Sequence, residues 1–266
     1  MKQVWLVKKE HVFPLLVNGN TKANFSFLSL LLFIIFSSTF HSTQAQEINA
    51  ADNYKKVVTE RSAKIIAVLQ LKDSNQYKKV LHAVAGHYIN TNQIHESFNI
   101  ELAAIKKEDK EEAATKIAVA EAEAVKLKAL SQLHTNFIAE LKKTITNEQL
   151  DKIKDGMTYK IYPITYAAYQ DMLPNLSAEQ KLKIDEWLKE ARELAMDAES
   201  AEKKHAVFGK YKGRINNYLS AAGYDLKKET EAWQQRIKER EAEKKNSKQL
   251  SKYELNLSKS KKPNAI

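Results

Sequence analysis

The chain has 266 residues, 43 of them Lys or Arg against 33 Asp or Glu, for a formal charge of +10. It has no cysteine, which excludes disulfide frameworks, thiolate metal sites and lipid attachment through a cysteine. The excess charge sits at the ends, in a leader with four lysines and one acid and in a tail, Lys244 to Lys262, with seven lysines and one glutamate. The body between them is close to neutral, so no folded basic face for nucleic acid is expected.

At the start of the chain, Lys2, Lys8, Lys9 and Lys22 precede an apolar run, Phe25 to Phe40, and the small-residue stretch "STQA" ending at Ala45. That order is the pattern of a secretory signal peptide, cleaved near Ala45. The run is shorter than the roughly 20 residues a membrane span prefers. The expectation is a periplasmic or secreted protein with no stable membrane span after cleavage. Residues 1–45 are the leader, 46–246 a helical domain, and 247–266 a basic disordered tail.

Neither Gly nor Pro occurs between Gly86 and Gly156, a stretch rich in Ala, Lys, Glu and Leu that favours helix. A first helix is expected from Ala51 to Leu71, with Val57, Val58, Ile65, Ile66 and Leu69 inward. Asp73 and Ser74 can cap a second, carrying Tyr77, Val80, Leu81, Val84 and Tyr88. A third spans Asp109 to Ile145, with Ile117, Ala120, Ala124, Leu127, Leu130, Phe137 and Leu141 inward. Residues 46–155 thus read as a helical hairpin or small bundle.

"ITNEQL" (Ile145–Leu150) and "LSAEQK" (Leu176–Lys181) each place Thr or Ser three residues before Gln, the spacing of a capping box. Both also resemble the leucine-threonine-x-x-glutamine signature of small periplasmic stress chaperones, which keeps a chaperone-like helical protein as one functional class. Between them, "MTYKIYPITYAAYQDMLPNL" alternates Tyr159 and Ile161 before Pro163, which predicts a short extended crossing over 158–163. A helix with Tyr166 and Tyr169 follows, then a turn at Pro174 and Asn175. Tyrosines in such a segment are either a core rim or a stacking platform for sugar rings. The next helix, Ala178 to Met196, is expected to bury Leu182, Ile184, Trp187, Leu188 and Leu194, with Glu190, Arg192 and Glu193 on a solvated face.

The stretch "HAVFGKYKGRINNYL", His205 to Leu219, reads as a helix with two interior glycines. At about 100° per residue, Val207, Phe208, Tyr211, Ile215, Tyr218, Leu219 and Ala222 form one buried stripe. His205, Gly209, Gly213, Asn216 and Ser220 lie opposite it, with Asn217 beside them and Lys210, Lys212 and Arg214 along the edges. Each interior glycine costs about 0.8–1 kcal/mol relative to alanine, so the face calls for a close approach, by a neighbouring helix or by a ligand. As a ligand face it offers His205, Asn216 and Asn217 as hydrogen-bond partners and Lys210, Lys212 and Arg214 to an anionic group. Gly223 suits the left-handed position that closes the helix, Tyr224 is a further stacking candidate, and a last helix runs from Lys227 to about Lys244 with Trp233 and Ile237 docking it.

These residues carry a resemblance. "ARELAMDAESAEKKHAVFGKYKGRINNYLSAAGYDL", Ala191 to Leu226, together with "MTYKIYPITYAAYQDMLPNLSAEQK", resembles an exported Bacteroidetes family that bears a domain-of-unknown-function label. The resemblance implies sugar binding and a setting among polysaccharide-utilisation genes, pectin-degrading ones included.

His82 and His87 stand five apart, and His95 and His134 stand alone, so all read as ordinary histidines and no metal or cofactor is expected. No nucleophile elbow, phosphate-cradling loop or HExxH occurs. The sequence therefore reads as an all-α protein with an N-terminal hairpin half and a C-terminal, motif-bearing half (156–246). Its expected function, with the sugar supplied by the resemblance, is to bind an acidic, uronate-containing oligosaccharide as an accessory protein of polysaccharide use. A polysaccharide lyase or hydrolase working through the same cations is the enzyme alternative.

Overall fold

A computed structural model describes residues 52–108 and 111–260, with side chains as far as Lys252. The expected leader, residues 1–45, and residues 261–266 of the tail lie outside the described residues, and the compact unit considered below begins at Tyr54. The described residues are all-α: α1 over 52–66, α2 (Ser74–Lys107), α3 (Glu112–Lys142), α4 (Asn147–Met157), α5 (Ile161–Met172), α6 (Ala178–Met196), α7 (Ala201–Ala221) and α8 (Leu226–Ser260). Among them there is no strand, and no helix is long and apolar enough to cross a membrane.

Local chemistry sets the boundaries. The Asp73 carboxylate accepts from Asn75 N and Gln76 N to start α2. Thr146 with Gln149, and Ser177 with Gln180, form reciprocal capping boxes at α4 and α6. Gly223, at φ 93°, takes the left-handed position that ends α7.

Two cores result. Ile66, Val84, Phe137, Leu141, Ile153 and Met157 anchor the first, around the α2–α3 hairpin with α1 and α4. Leu173, Ile184, Leu188, Phe208, Ile215 and Leu219 anchor the second, formed by α5, α6 and α7. Helix α6 serves both, since its middle lies in the second core and Met196 at its end lies in the first.

The side of α6 expected to face solvent is instead a seam of buried charge. Arg192 is 3% exposed, and its two terminal nitrogens donate to Asp155 Oδ1 at 2.7 Å and Asp151 Oδ1 at 2.6 Å, both on α4. Glu193 accepts from Lys154 at 2.8 and 2.9 Å. Asp197, just past the helix end, sits 2.9 Å from His134 Nδ1 and 3.0 Å from His87 Nε2, the latter without hydrogen-bond alignment. His95 Nε2 adds a 2.8 Å contact to the Asp197 carbonyl. Three histidines that looked ordinary in sequence therefore converge on one residue. The residues alternate on α6 between apolar and charged because both sides of the helix are covered, one by a core and the other by opposite charges.

Other expectations change for geometric reasons. Ile117, Ala120, Ala124 and Leu127 lie about 60–140° around α3 from Leu130, so a helix packed mainly on α2 cannot bury both sets. The buried residues of α3 are Ala122, Leu130, Phe137 and Leu141, while Ile117 and Leu127 are exposed. Val57 on α1, and Leu182 and Leu194 on α6, are likewise exposed. The extended crossing at 158–163 is absent. Pro163 is tolerated at the third position of α5, where its missing N–H costs no intrahelical bond, so the helix begins at Ile161. Helix α8 continues to Ser260, well past Lys244; its Trp233 indole donates to Asp171 at 2.7 Å, and Arg236 donates to the Asp171 and Met172 carbonyls.

Removing the guanidinium in R192L leaves Asp155 partly buried and unpaired. We expect a loss of about 3 kcal/mol of unfolding free energy, at the low end for a broken buried pair because Asp151 is half-exposed; urea denaturation reads this directly. Protonation adds a pH dependence. The His134 imidazole is raised to about 9, chiefly by its hydrogen bonds to Asp197 and Glu193. Its stabilisation is complete below its unfolded value of 6.5 and is lost as pH rises towards 9. Burial drives the Lys204 ammonium down to about 8, which returns stability between 8 and 10.5. Stability should therefore fall most cleanly from pH 6.5 to 8, and thermal unfolding of H134Q across that window should be flat.

Candidate functional site

The turn between α4 and α5 carries backbone strain. Tyr159 and Lys160 adopt successive left-handed conformations, φ 57° and 56°, where neither is a glycine. Each such residue costs roughly 1–2 kcal/mol. The turn is pinned by Lys160 N donating to Asp155 O at 2.7 Å and by the buried Thr158 hydroxyl donating to Lys154 O at 2.8 Å. Beside it, Gly156 lets α1 approach α4, since a Cβ there would lie 2.7 Å from Ile65 Cγ2. The consequence is a tyrosine held out between α1 and α7, 45% exposed, its ring stacked on His205 at 5.6 Å and 13°.

Two cavities meet at this tyrosine. The outer one, about 410 Å3, is bounded by Arg61, Lys64, Tyr88, Lys152 and Lys160. The inner one, about 170 Å3 and more enclosed, is bounded by Tyr54, Thr91, Glu199 and Lys204. Arg61, Tyr88 and Tyr159 belong to both walls. Together their walls carry five cations, Arg61, Lys64, Lys152, Lys160 and the buried Lys204, against the single carboxylate of Glu199. None of the five forms an ion pair among the described residues. In a body close to neutral this is a local concentration of positive charge, and low-dielectric walls strengthen its attraction for an anion.

Lys204 is the most unusual of them. It is 5% exposed and donates to Met157 O at 3.3 Å and Met196 O at 3.0 Å, the last residues of α4 and α6. Two helix C-termini therefore face one ammonium, which suits a cation, and the Tyr88 ring lies 5.3 Å from it. Arg61 approaches the same ring at 6.0 Å.

The residues expected to share one face of α7 are distributed. His205 turns to Tyr159 and so joins the cleft. Arg214 lies over the Trp187 ring at 4.3 Å and pairs with Glu190 at 3.8 Å. Asn216 accepts from the Tyr169 hydroxyl at 2.7 Å, and with Lys212 it borders a cavity of about 350 Å3 between α5, α7 and α8 that also touches Trp233. The Tyr224 hydroxyl is within hydrogen-bond distance of Asn175 O and Gln180 Oε1, which ties it to the start of α6. Lys210 and Asn217 remain exposed beside Gly209 and Gly213, and no atom lies within 4 Å of a Cβ built on either glycine. No helix among the described residues covers that face. Arg61, Lys64, Tyr88, Thr91, Lys152 and Lys204 were not singled out as site residues in sequence. The one local signal was the tyrosine-rich segment that contains Tyr159.

Among the described residues, no three His, Asp or Glu side chains are arranged to hold a metal ion, and the convergence on Asp197 is an ion-pair seam. Residues 55–239 match the family described as "Protein of unknown function (DUF3826)". The chain belongs to that family. The match to DUF3826 takes in both cores, the strained turn, all of the cleft but Tyr54, and all of α7, and ends within α8. A search of curated proteins finds no match.

The two open glycines give a direct test of the α7 face. G209A and G213A should each stabilise the protein by about 0.5–1 kcal/mol, because helix propensity improves and no atom is displaced. Ligand affinity in calorimetry should be unchanged in both if the cleft is the site; a loss of affinity in either would return the site to the glycine face.

Proposed function

We propose that this protein is an exported accessory protein of polysaccharide use that binds an acidic, uronate-containing oligosaccharide in the Tyr159 cleft. The observation that carries the reading is the strained Tyr159–Lys160 turn, which holds an aromatic face between two cavities edged by five cations. A sugar ring presents C–H faces that suit an aromatic ring, hydroxyls that suit Thr, Asn and Glu, and, in a uronate, a carboxylate that suits Arg and Lys. Strain retained at one place and compensated by surrounding structure is commonly spent on presenting a side chain to a ligand. The leader pattern of residues 1–45 supports export, and the sugar is what the resemblance of the Ala191–Leu226 stretch implies.

One observation favours the enzyme alternative. The buried Lys204 amine, driven down to about 8 by burial, is closer than an ordinary lysine to serving as a base beside a uronate carboxylate. Against it, two carbonyls already bind the ammonium form.

Calorimetry of the purified protein with oligogalacturonates and with neutral oligosaccharides of equal length tests the proposal. Acidic ligands should bind, more weakly as salt rises, and neutral ones should bind at least tenfold more weakly, about 1.4 kcal/mol. Y159A should lose about 0.5–1.5 kcal/mol of binding with its fold intact. Absence of heat from every acidic oligosaccharide would sink the reading. Unsaturated products or new reducing ends in the same samples would establish the lyase or hydrolase instead.

A further inference from the structure

Helix α3 has two apolar sides, and the core takes only one of them. Ala122, Leu130, Phe137 and Leu141 are buried. Ala113, Ile117, Ala120, Ala124 and Leu127 lie about 140–180° around the helix from Ala122. All five are exposed, Ile117 at 61% and Leu127 at 57%. They recur at steps of four, three, four and three residues, the heptad spacing of a seam between two helices. The helix is already held in shape by its packing on α2, so a partner would meet a formed stripe and no ordering cost. The same side stays exposed further along, at Ser131 and Thr135, which leaves room for a second helix to continue.

The charges beside the stripe identify what fits it. In heptad terms Ile117 and Ala124 are a positions, while Ala113, Ala120 and Leu127 are d positions. Lys116 and Glu123 then fall at g, Glu121 and Lys128 at e, and all four are exposed. In a parallel, in-register pair each g residue meets the e residue of the next heptad in the other chain. Lys116 then faces Glu121 of the second copy, and Glu123 faces its Lys128, so every flanking contact joins opposite charges. Laid antiparallel with the whole stripe overlapped, the same helices would set Glu121 against Glu121 and Glu123 against Glu123. Within one copy Lys116 contacts Glu112 at 2.7 Å and Glu123 contacts Lys126 at 3.5 Å, weak intrahelical pairs that leave both free to engage a partner. Isoleucine at a and leucine at d also suit two parallel strands.

We propose that α3 is a dimerisation helix, through which two copies of this chain pair in parallel along the Ala113–Leu127 stripe. The seam is about 21 Å long, short for a stable interface, so the dimer forms reversibly as concentration rises. No residue of α3 lines the Tyr159 cleft, and the inference is therefore independent of the ligand reading.

Sedimentation equilibrium of the full chain should show a reversible monomer–dimer equilibrium. Ile117→Glu alters an exposed residue, so the monomer should unfold at the parent's temperature while the dimer is lost. Lys116→Glu should weaken dimerisation about tenfold, and adding Glu121→Lys, which swaps the pair, should restore it. Because the chain has no cysteine, Ala113→Cys reports orientation, since only parallel copies bring the two thiols together for oxidation to a covalent dimer. A monomer at every concentration up to about 1 mM would overturn the proposal. So would a dimer that survives Ile117→Glu, or an Ala113→Cys variant that dimerises without cross-linking.

Discussion

The Arg192 guanidinium, buried between two carboxylates of α4, is the interaction on which the rest of the architecture depends. Helix α6 has to serve two cores at once, and its charged side can be buried only if every charge meets an opposite one. The seam meets that condition with Arg192 on Asp151 and Asp155, Glu193 on Lys154 and His134, and Asp197 on His134. Burial alone would push the Asp197 and Glu193 carboxyls up; the hydrogen bonds of His134 to both, and of Lys154 to Glu193, hold them below their ordinary values. The seam contributes direction as well as stability, since bidentate and charge-assisted contacts work only in one register of α4 on α6.

That register creates the cleft. It brings the ends of α4 and α6 to the same place, so that the Met157 and Met196 carbonyls can hold Lys204 between them. It also sets where the chain leaves α4, and the two left-handed residues that follow turn Tyr159 onto His205. The strain of the turn and the burial of a lysine are both unfavourable in isolation. They are tolerated because Gly156 allows α1 to close against α4 and because the first core continues to the end of α4 at Met157. The resulting surface combines aromatic faces with unpaired cations in a body of nearly neutral charge, a local field that favours an anion.

Much of the fold could be read from single residues. Asp73, the two capping boxes and Gly223 each act within one turn of chain, and each is found where the sequence places it. The α7 stripe of Phe208, Ile215 and Leu219 is equally local, because helical periodicity alone decides which residues share a side. The candidate site was much less visible. His205 and the tyrosine segment drew attention, but Arg61, Tyr88, Thr91 and Lys204 come from three helices and have no common spacing. The charged side of α6 misled for the same reason. Arg192 and Glu193 look like a solvated pair until α4 supplies Asp151, Asp155 and Lys154 to receive them.

By itself, then, the sequence determined the helical class, the helix starts, the buried stripe of α7 and the charge asymmetry between ends and body, since all of these follow from neighbours within a few residues. Only the tertiary structure decided that the expected α7 face is divided among four surroundings, that three isolated histidines meet at Asp197, and that a buried lysine and an unpartnered threonine share a pocket beside a strained tyrosine. The physical reason is the same in each case. Capping and amphipathicity are short-range and leave a record in spacing, whereas charge pairing, cavity walls and aromatic stacking join residues that only packing brings together.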